Sequence, residues 1–138
     1  GWGLPGAIGV KCALPDRPVV CFTGDGGFWY HIAELETAVR YNIPVVTVIN
    51  NNHGLLQNRR GDDRAYDNVP GTNSADIWNF NDVDMAKVAE AMGAFGIRVD
   101  QPGDIRGAIE QALASGRPAV VDVVTDPEDS SSPVPWAP

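Results

Sequence analysis

Residues 19–27 read VVCFTGDGG and residues 45–52 read VVTVINNN. Each begins with a short, β-branched apolar run that stops abruptly at a glycine-rich or amide-rich loop. That is the pattern of a strand buried on both faces, as in a parallel sheet. Between the two runs, Ile32, Leu35, Glu36 and Val39 recur at spacings of three and four, and Asn42-Ile43-Pro44 breaks the pattern, which predicts a helix over 28–41. Strand, helix and strand in this order form a βαβ crossover. Such a crossover delivers the loops after both strands to the same edge of the sheet.

The rest of the chain extends this reading. In 4–14, Leu4, Ala7, Ile8, Lys11 and Cys12 fall at helical spacing, Pro5 suits a first turn, and Pro15-Asp16-Arg17-Pro18 ends the helix. Residues 53–79 read as irregular and polar, with room for one short helix after Gly54. This is long for a connection and is expected to be functional or mobile. Helix is expected over 82–92, closed by Gly93, and over 104–114, between Pro102-Gly103 and Gly116. Residues 95–99 and the run AVVDVV at 119–124 supply two further strands.

The alternation predicts an α/β fold: a doubly wound, mostly parallel sheet with helices on both faces, in one domain over 1–125. Residues 126–138, rich in Pro, Ser and Asp, read as a flexible tail. The chain opens at Gly1 inside an apolar, glycine-rich pattern, which suggests a trimmed piece of something longer.

Composition narrows the function classes. The chain has 138 residues, 43% hydrophobic, with a formal net charge of −8. No apolar run approaches the ~20 residues of a membrane helix, and no signal or transit segment is visible. Arg59, Arg60 and Arg64 cluster, but Asp62 and Asp63 flank them, so nucleic-acid binding is not expected. Cys12 and Cys21 show no zinc or disulfide spacing and read as reduced core residues, which suits a cytoplasmic setting.

In open parallel sheets, ligands bind beyond the carboxyl ends of the strands. The first such loop is Gly24-Asp25-Gly26-Gly27. Glycines permit a close backbone approach to a ligand, and the helix that follows offers free N–H groups to an anion. A carboxylate beside an anion site would repel it unless a divalent cation lies between them. Asn50, Asn51 and Asn52 then provide neutral amide oxygens, and Gly54 a carbonyl, for a hard ion such as Mg²⁺. Asp25 and Asn52 lie 27 positions apart (52 − 25), one helix and one strand.

Gly24-Asp25-Gly26 followed by an Asn pair resembles the thiamine-diphosphate signature. GWGLPGAIGVKCALPDRPVVCFTGDGGF, ELETAVRYNIPVVTVINNN and FNDVDMAKVAEAMGAFGIRVDQPGDIRGAIEQALASGRPAVVDVVTD are similar to acetolactate-synthase-like enzymes, over nearly the whole chain to Asp126. The resemblance implies the C-terminal, diphosphate-binding domain of such an enzyme, a fragment lacking the first strand of its sheet. It implies thiamine diphosphate and Mg²⁺ as cofactors. Asp25, Asn52 and the Gly54 carbonyl would be metal ligands, and Gly24, Gly26, Gly27 and Leu55 would contact the cofactor. Asn51 with His53 is the alternative register.

The family's catalytic glutamate lies in another domain. Glu34 and Glu36 read as structural, so no catalytic residue is assigned here. The implied role is therefore a half-site of a 2-oxo-acid carboligase or decarboxylase (a transferase or lyase), inactive alone. Its partners would be a pyrimidine-binding domain of the same or another chain and a small 2-oxo acid, within a homo-oligomer. The rival readings are a flavodoxin-like or phosphorylation-switch module, and a fragment that folds but binds nothing. His31 reads as a packing or surface residue, and His53 as a possible contact to cofactor or substrate.

Overall fold

Among the described residues, four strands form one all-parallel sheet: β1 (Val19–Gly24), β2 (Val45–Asn51), β3 (Phe95–Val99) and β4 (Ala119–Val124), in the spatial order β1-β2-β4-β3. The computed structural model describes residues 1–56, 58, 65 and 74–127, with only the backbone of 74 and 75. Among the described residues, the helices with both ends placed are α1 (Gly3–Ala13), α2 (Asp25–Trp29), α3 (Glu34–Arg40), α4 (Ser74–Trp78), α5 (Met85–Ala91) and α6 (Ile105–Ala114), with a 3₁₀ turn at Pro102–Asp104; Leu56, Asn58 and Ala65 are helical as well.

Helices cover both faces of the sheet, as the alternating pattern predicts. On one face Leu4, Phe28, Leu35, Met85 and Ala89 pack with Ile49 and Val120 of the sheet. On the other, Ala108 and Ala112 of α6 pack on Val46, Val48, Val99 and Val121. Strand alternation sends Ile49 to one core and Val48 to the other, so β2 is buried on both faces. Among the described residues, no helix is long and apolar enough to cross a membrane.

The structure revises several expectations. β1 is an edge strand, with Val20 49% and Phe22 74% exposed, so it is not buried on both faces. Its apolar composition specifies a strand, but burial depends on what packs against it, and α6 lies across β2, β3 and β4 instead. The single helix predicted over 28–41 is two helices separated by a turn at residues 30–33. Helix also starts earlier, at Asp25. Helix α4 falls within a stretch read as irregular.

Helix α5 begins at Met85 rather than at residue 82, because the Asp84 side chain accepts a hydrogen bond from the Lys87 N–H and caps it. Cys21 is buried, whereas Cys12 is exposed and no core residue; both are free thiols. The predicted tail lies outside the described residues from 128 onward. So do residues 57, 59–64 and 66–73 of the long connection, including Arg59, Arg60 and Arg64.

Candidate functional site

The crossover aligns the ends of β1 and β2 so that Gly24 pairs with Asn50. Just beyond them, Asp25 opens α2 with Gly24 as its N-cap, and the residue is only 2% exposed. Asp25 Oδ2 accepts a hydrogen bond from the Gly54 N–H at 2.8 Å. The side-chain amide of Asn52 comes within 3.3 Å of Asp25 Oδ1 and 3.1 Å of the Gly54 carbonyl oxygen. The two loops predicted to meet are therefore in contact, and Asp25, Asn52 and Gly54 converge on one point.

The amide of Asn52 can meet its neighbours in two ways. With its nitrogen inward, it donates to Asp25 and to the Gly54 carbonyl. With its oxygen inward, an amide oxygen, a carboxylate oxygen and a carbonyl oxygen face one another with no donor between them. Three convergent oxygens repel unless a cation lies among them, and a hard divalent ion takes such a donor set. Among the described residues no group of three His, Cys, Asp or Glu offers a metal site. This donor set instead has one carboxylate and two neutral oxygens.

Burial pushes the Asp25 carboxyl above its ordinary range, opposed by N–H groups of Gly26, Gly54 and Asp25 itself and by the nearby His53. A buried anion with a raised pKa is one that a cation would relieve. Gly24, Asp25, Gly26, Gly27, Asn52, Gly54 and Leu55 line one hollow of about 220 Å³, with Asn50, Leu56 and Asn58. All seven residues singled out from the sequence thus share one cavity. A second hollow of about 670 Å³ is lined by Trp29, Asp76, Asn79, Phe80, Asn81 and Val83.

The glycines act through space rather than through unusual dihedrals, since none of these four has a positive φ. A Cβ on Gly26 would lie 2.4 Å from Leu55 Cδ2, and one on Gly54 would lie 2.5 Å from the Trp78 carbonyl oxygen. His53, between Asn52 and Gly54, lies in the left-handed region, at φ 58°. Its carbonyl accepts from the Phe80 N–H at 2.7 Å, and the Leu55 N–H donates to Trp78 O at 2.8 Å.

Other candidates fall away from the hollow. His31 is exposed in the turn after α2, and Glu36 pairs with Arg40 on the surface of α3. Phe28 is in the core, Trp29 packs against it and Tyr30 is exposed.

Asn51 is occupied elsewhere. Its side chain is buried and donates to Asp122 Oδ1 of β4 at 2.9 Å. Asp122 Oδ2 accepts from the Met85 N–H at 3.0 Å and lies 3.5 Å from Arg98 Nη1. Burial pushes the Asp122 carboxyl up, opposed by Asn51, the Met85 N–H and Arg98. Thr125 closes the same edge, its hydroxyl donating to Asn50 Oδ1 at 2.7 Å and its N–H to Asn51 O at 2.8 Å. Sequence reasoning missed Asp122, Arg98 and Thr125. The available signal was a single acidic residue inside AVVDVV, a run with no other polar side chain.

Residues 1–123 match the family of the thiamine pyrophosphate enzyme C-terminal TPP-binding domain. The chain is 38% identical over 136 residues to a probable acetolactate synthase large subunit of Methanococcus aeolicus, covering 98% of this chain and 22% of that protein. It is 36% identical over 130 residues to a 2-hydroxyacyl-CoA lyase of Oryza sativa subsp. japonica, covering 92% and 22%. Among solved structures, a thiamine diphosphate-dependent 4-hydroxybenzoylformate decarboxylase of Rhodococcus jostii RHA1 superposes with a TM-score of 0.79 at 33% identity, over 91% of this chain and 23% of that one.

The chain belongs to the C-terminal TPP-binding domain family of thiamine pyrophosphate enzymes. It is related to acetolactate synthase large subunits and spans about a fifth of the length of the curated relatives it matches. The match sets aside the flavodoxin-like alternative.

Proposed function

We propose that this chain forms the metal- and diphosphate-binding half of the active site of a thiamine-diphosphate-dependent 2-oxo-acid carboligase or decarboxylase. The observation that carries this reading is the convergence of Asp25, Asn52 and the Gly54 carbonyl at the end of the β1–β2 crossover. These three would hold Mg²⁺, with Asn52 rather than Asn51 as the amide ligand, because Asn51 is committed to Asp122. Gly24, Gly26 and Gly27 would bring backbone against the diphosphate, and Leu55 would pack on the cofactor.

When bound, thiamine diphosphate supplies the carbanion chemistry that cleaves or forms a bond beside a 2-oxo acid carbonyl. The chain's own residues anchor and orient. Asp25 would contribute the one negative charge among the three proposed metal oxygens, and Leu55 packs close to Gly26 in the same hollow. This half-site would not turn over substrate alone. It would work with a pyrimidine-binding domain of the same or another polypeptide, in a cytoplasmic homo-oligomer. Trp2 at 81% and Phe22 at 74% exposure are apolar surface that such partners would cover.

Calorimetry with thiamine diphosphate tests the reading. Binding that requires Mg²⁺ is expected, and binding that is indifferent to Mg²⁺, or absent with it, would refute the proposal.

A further inference from the structure

Asp122 touches none of the proposed ligands, yet it is wholly buried on β4, between the metal-site loop and α5. A carboxylate in such a place is costly unless every oxygen is satisfied. Here both oxygens accept hydrogen bonds, one from the Asn51 amide and one from the Met85 N–H.

A carboxylate can only accept, so Asn51 must present its NH₂ to Asp122 and its oxygen the other way. That oxygen accepts from the His53 N–H at 3.3 Å, a local turn of the kind asparagine favours. The turn holds His53 at φ 58°, in the left-handed region that side-chain-bearing residues rarely adopt. Asn52 and Gly54 flank His53, so this backbone geometry carries both toward Asp25. A second connection starts from the same carboxylate: Arg98 lies 3.5 Å from Asp122 and donates at 2.6 Å to Asp82, whose carboxylate is 3.8 Å from His53 Nδ1.

We propose that Asp122 is a positioning residue of the metal site, fixing the amide orientation of Asn51 and through it the backbone of residues 52–54. This rests on the proposed function for its consequence, but its geometry is testable in the chain without cofactor. The probe is amide hydrogen exchange at Gly54, whose N–H is bonded to Asp25. In the unsubstituted chain this amide should be protected. In Asp122→Asn the residue at 122 can donate as well as accept, so Asn51 is free to turn over. Gly54 and His53 should then exchange at least ~10-fold faster, equivalent to about 1.4 kcal/mol.

The core amides of Val46 and Val48, in the interior strand β2, should keep their protection, because removing a buried charge does not weaken the sheet. A merely structural role would lower core and loop protection together. Asn51→Ala should loosen the same loop amides. The exchanged pair Asn51→Asp with Asp122→Asn restores a donor facing an acceptor, and should recover most of the protection.

An unprotected Gly54 amide in the unsubstituted chain would overturn the proposal. So would unchanged exchange in Asp122→Asn, or an exchanged pair no better than the single variants. Calorimetry on the same proteins reads the cofactor separately. Absence of thiamine diphosphate binding by the unsubstituted chain would count against the functional reading, while the exchange data still decide the role of Asp122.

Discussion

Asp25 is a carboxylate placed where a carboxylate is unfavourable. It is buried at the mouth of the hollow, and its pKa is raised by that burial. Its burden and its proposed use are the same property, a negative charge awaiting a cation. Asp25→Asn should therefore raise the urea midpoint of the metal-free chain at neutral pH while abolishing Mg²⁺-dependent cofactor binding. A lower midpoint, or retained binding, would contradict the assignment. Gly26 makes the complementary case. An added methyl there meets the end of a flexible Leu55 side chain rather than backbone, and alanine favours helix by roughly 1 kcal/mol over glycine. Gly26→Ala should fold with nearly unchanged stability but bind cofactor at least ~10-fold more weakly, since a displaced Leu55 narrows the cavity.

At the scale of elements, how well the sequence could be read depended on whether local pattern and tertiary context agreed. β3 and β4 are bounded by glycine and proline and fall where the apolar runs do. The break between α2 and α3 was not legible. Tyr30 and Ala33 keep helix-like dihedrals (φ −59°, ψ −31°; φ −59°, ψ −26°), so the three-and-four spacing of Ile32 and Leu35 continues through the turn. The edge position of β1 was equally hidden, because no residue in β1 records where α6 lies. The loop motif was legible because glycine, acid and amide at crossover spacing carry chemistry. Asp122 was not, since its partners Asn51 and Met85 are 71 and 37 positions away.

Close packing of α5 on β3 is a further element-scale feature with a measurable cost. A Cβ on Gly96 would lie 2.2 Å from the Ala86 carbonyl oxygen, a backbone atom that cannot step aside. Gly96→Ala should destabilise by about 1–3 kcal/mol, as overpacked cores do. Denaturant titration would read this as a lower midpoint, and an unchanged midpoint would show that the helix can shift.

Across the whole molecule, buried and exposed carboxylates pull stability in opposite directions with pH. Asp25 and Asp122 are easier to protonate when folded, because burial raises both. Their contribution to stability therefore grows as pH falls toward the ordinary aspartate value of 3.8 and shrinks as pH rises above it. Asp82 and Glu36 are held low by Arg98 and Arg40, so their contribution disappears only on stronger acidification. The metal-free chain should thus be more stable to urea at pH 5 than at pH 7. Mg²⁺ with thiamine diphosphate should reduce that difference by pairing the Asp25 charge, and greater stability at pH 7 without metal would refute this account.

The central claim is that Asp25, Asn52 and Gly54 grip one divalent ion that also holds the diphosphate. Electron–nuclear double resonance on the chain loaded with Mn²⁺ and thiamine diphosphate tests it directly. Coupling of ³¹P to Mn²⁺ is expected in the unsubstituted chain and should vanish in Asp25→Asn. A bound Mn²⁺ with no ³¹P coupling, or coupling that survives the substitution, would contradict it.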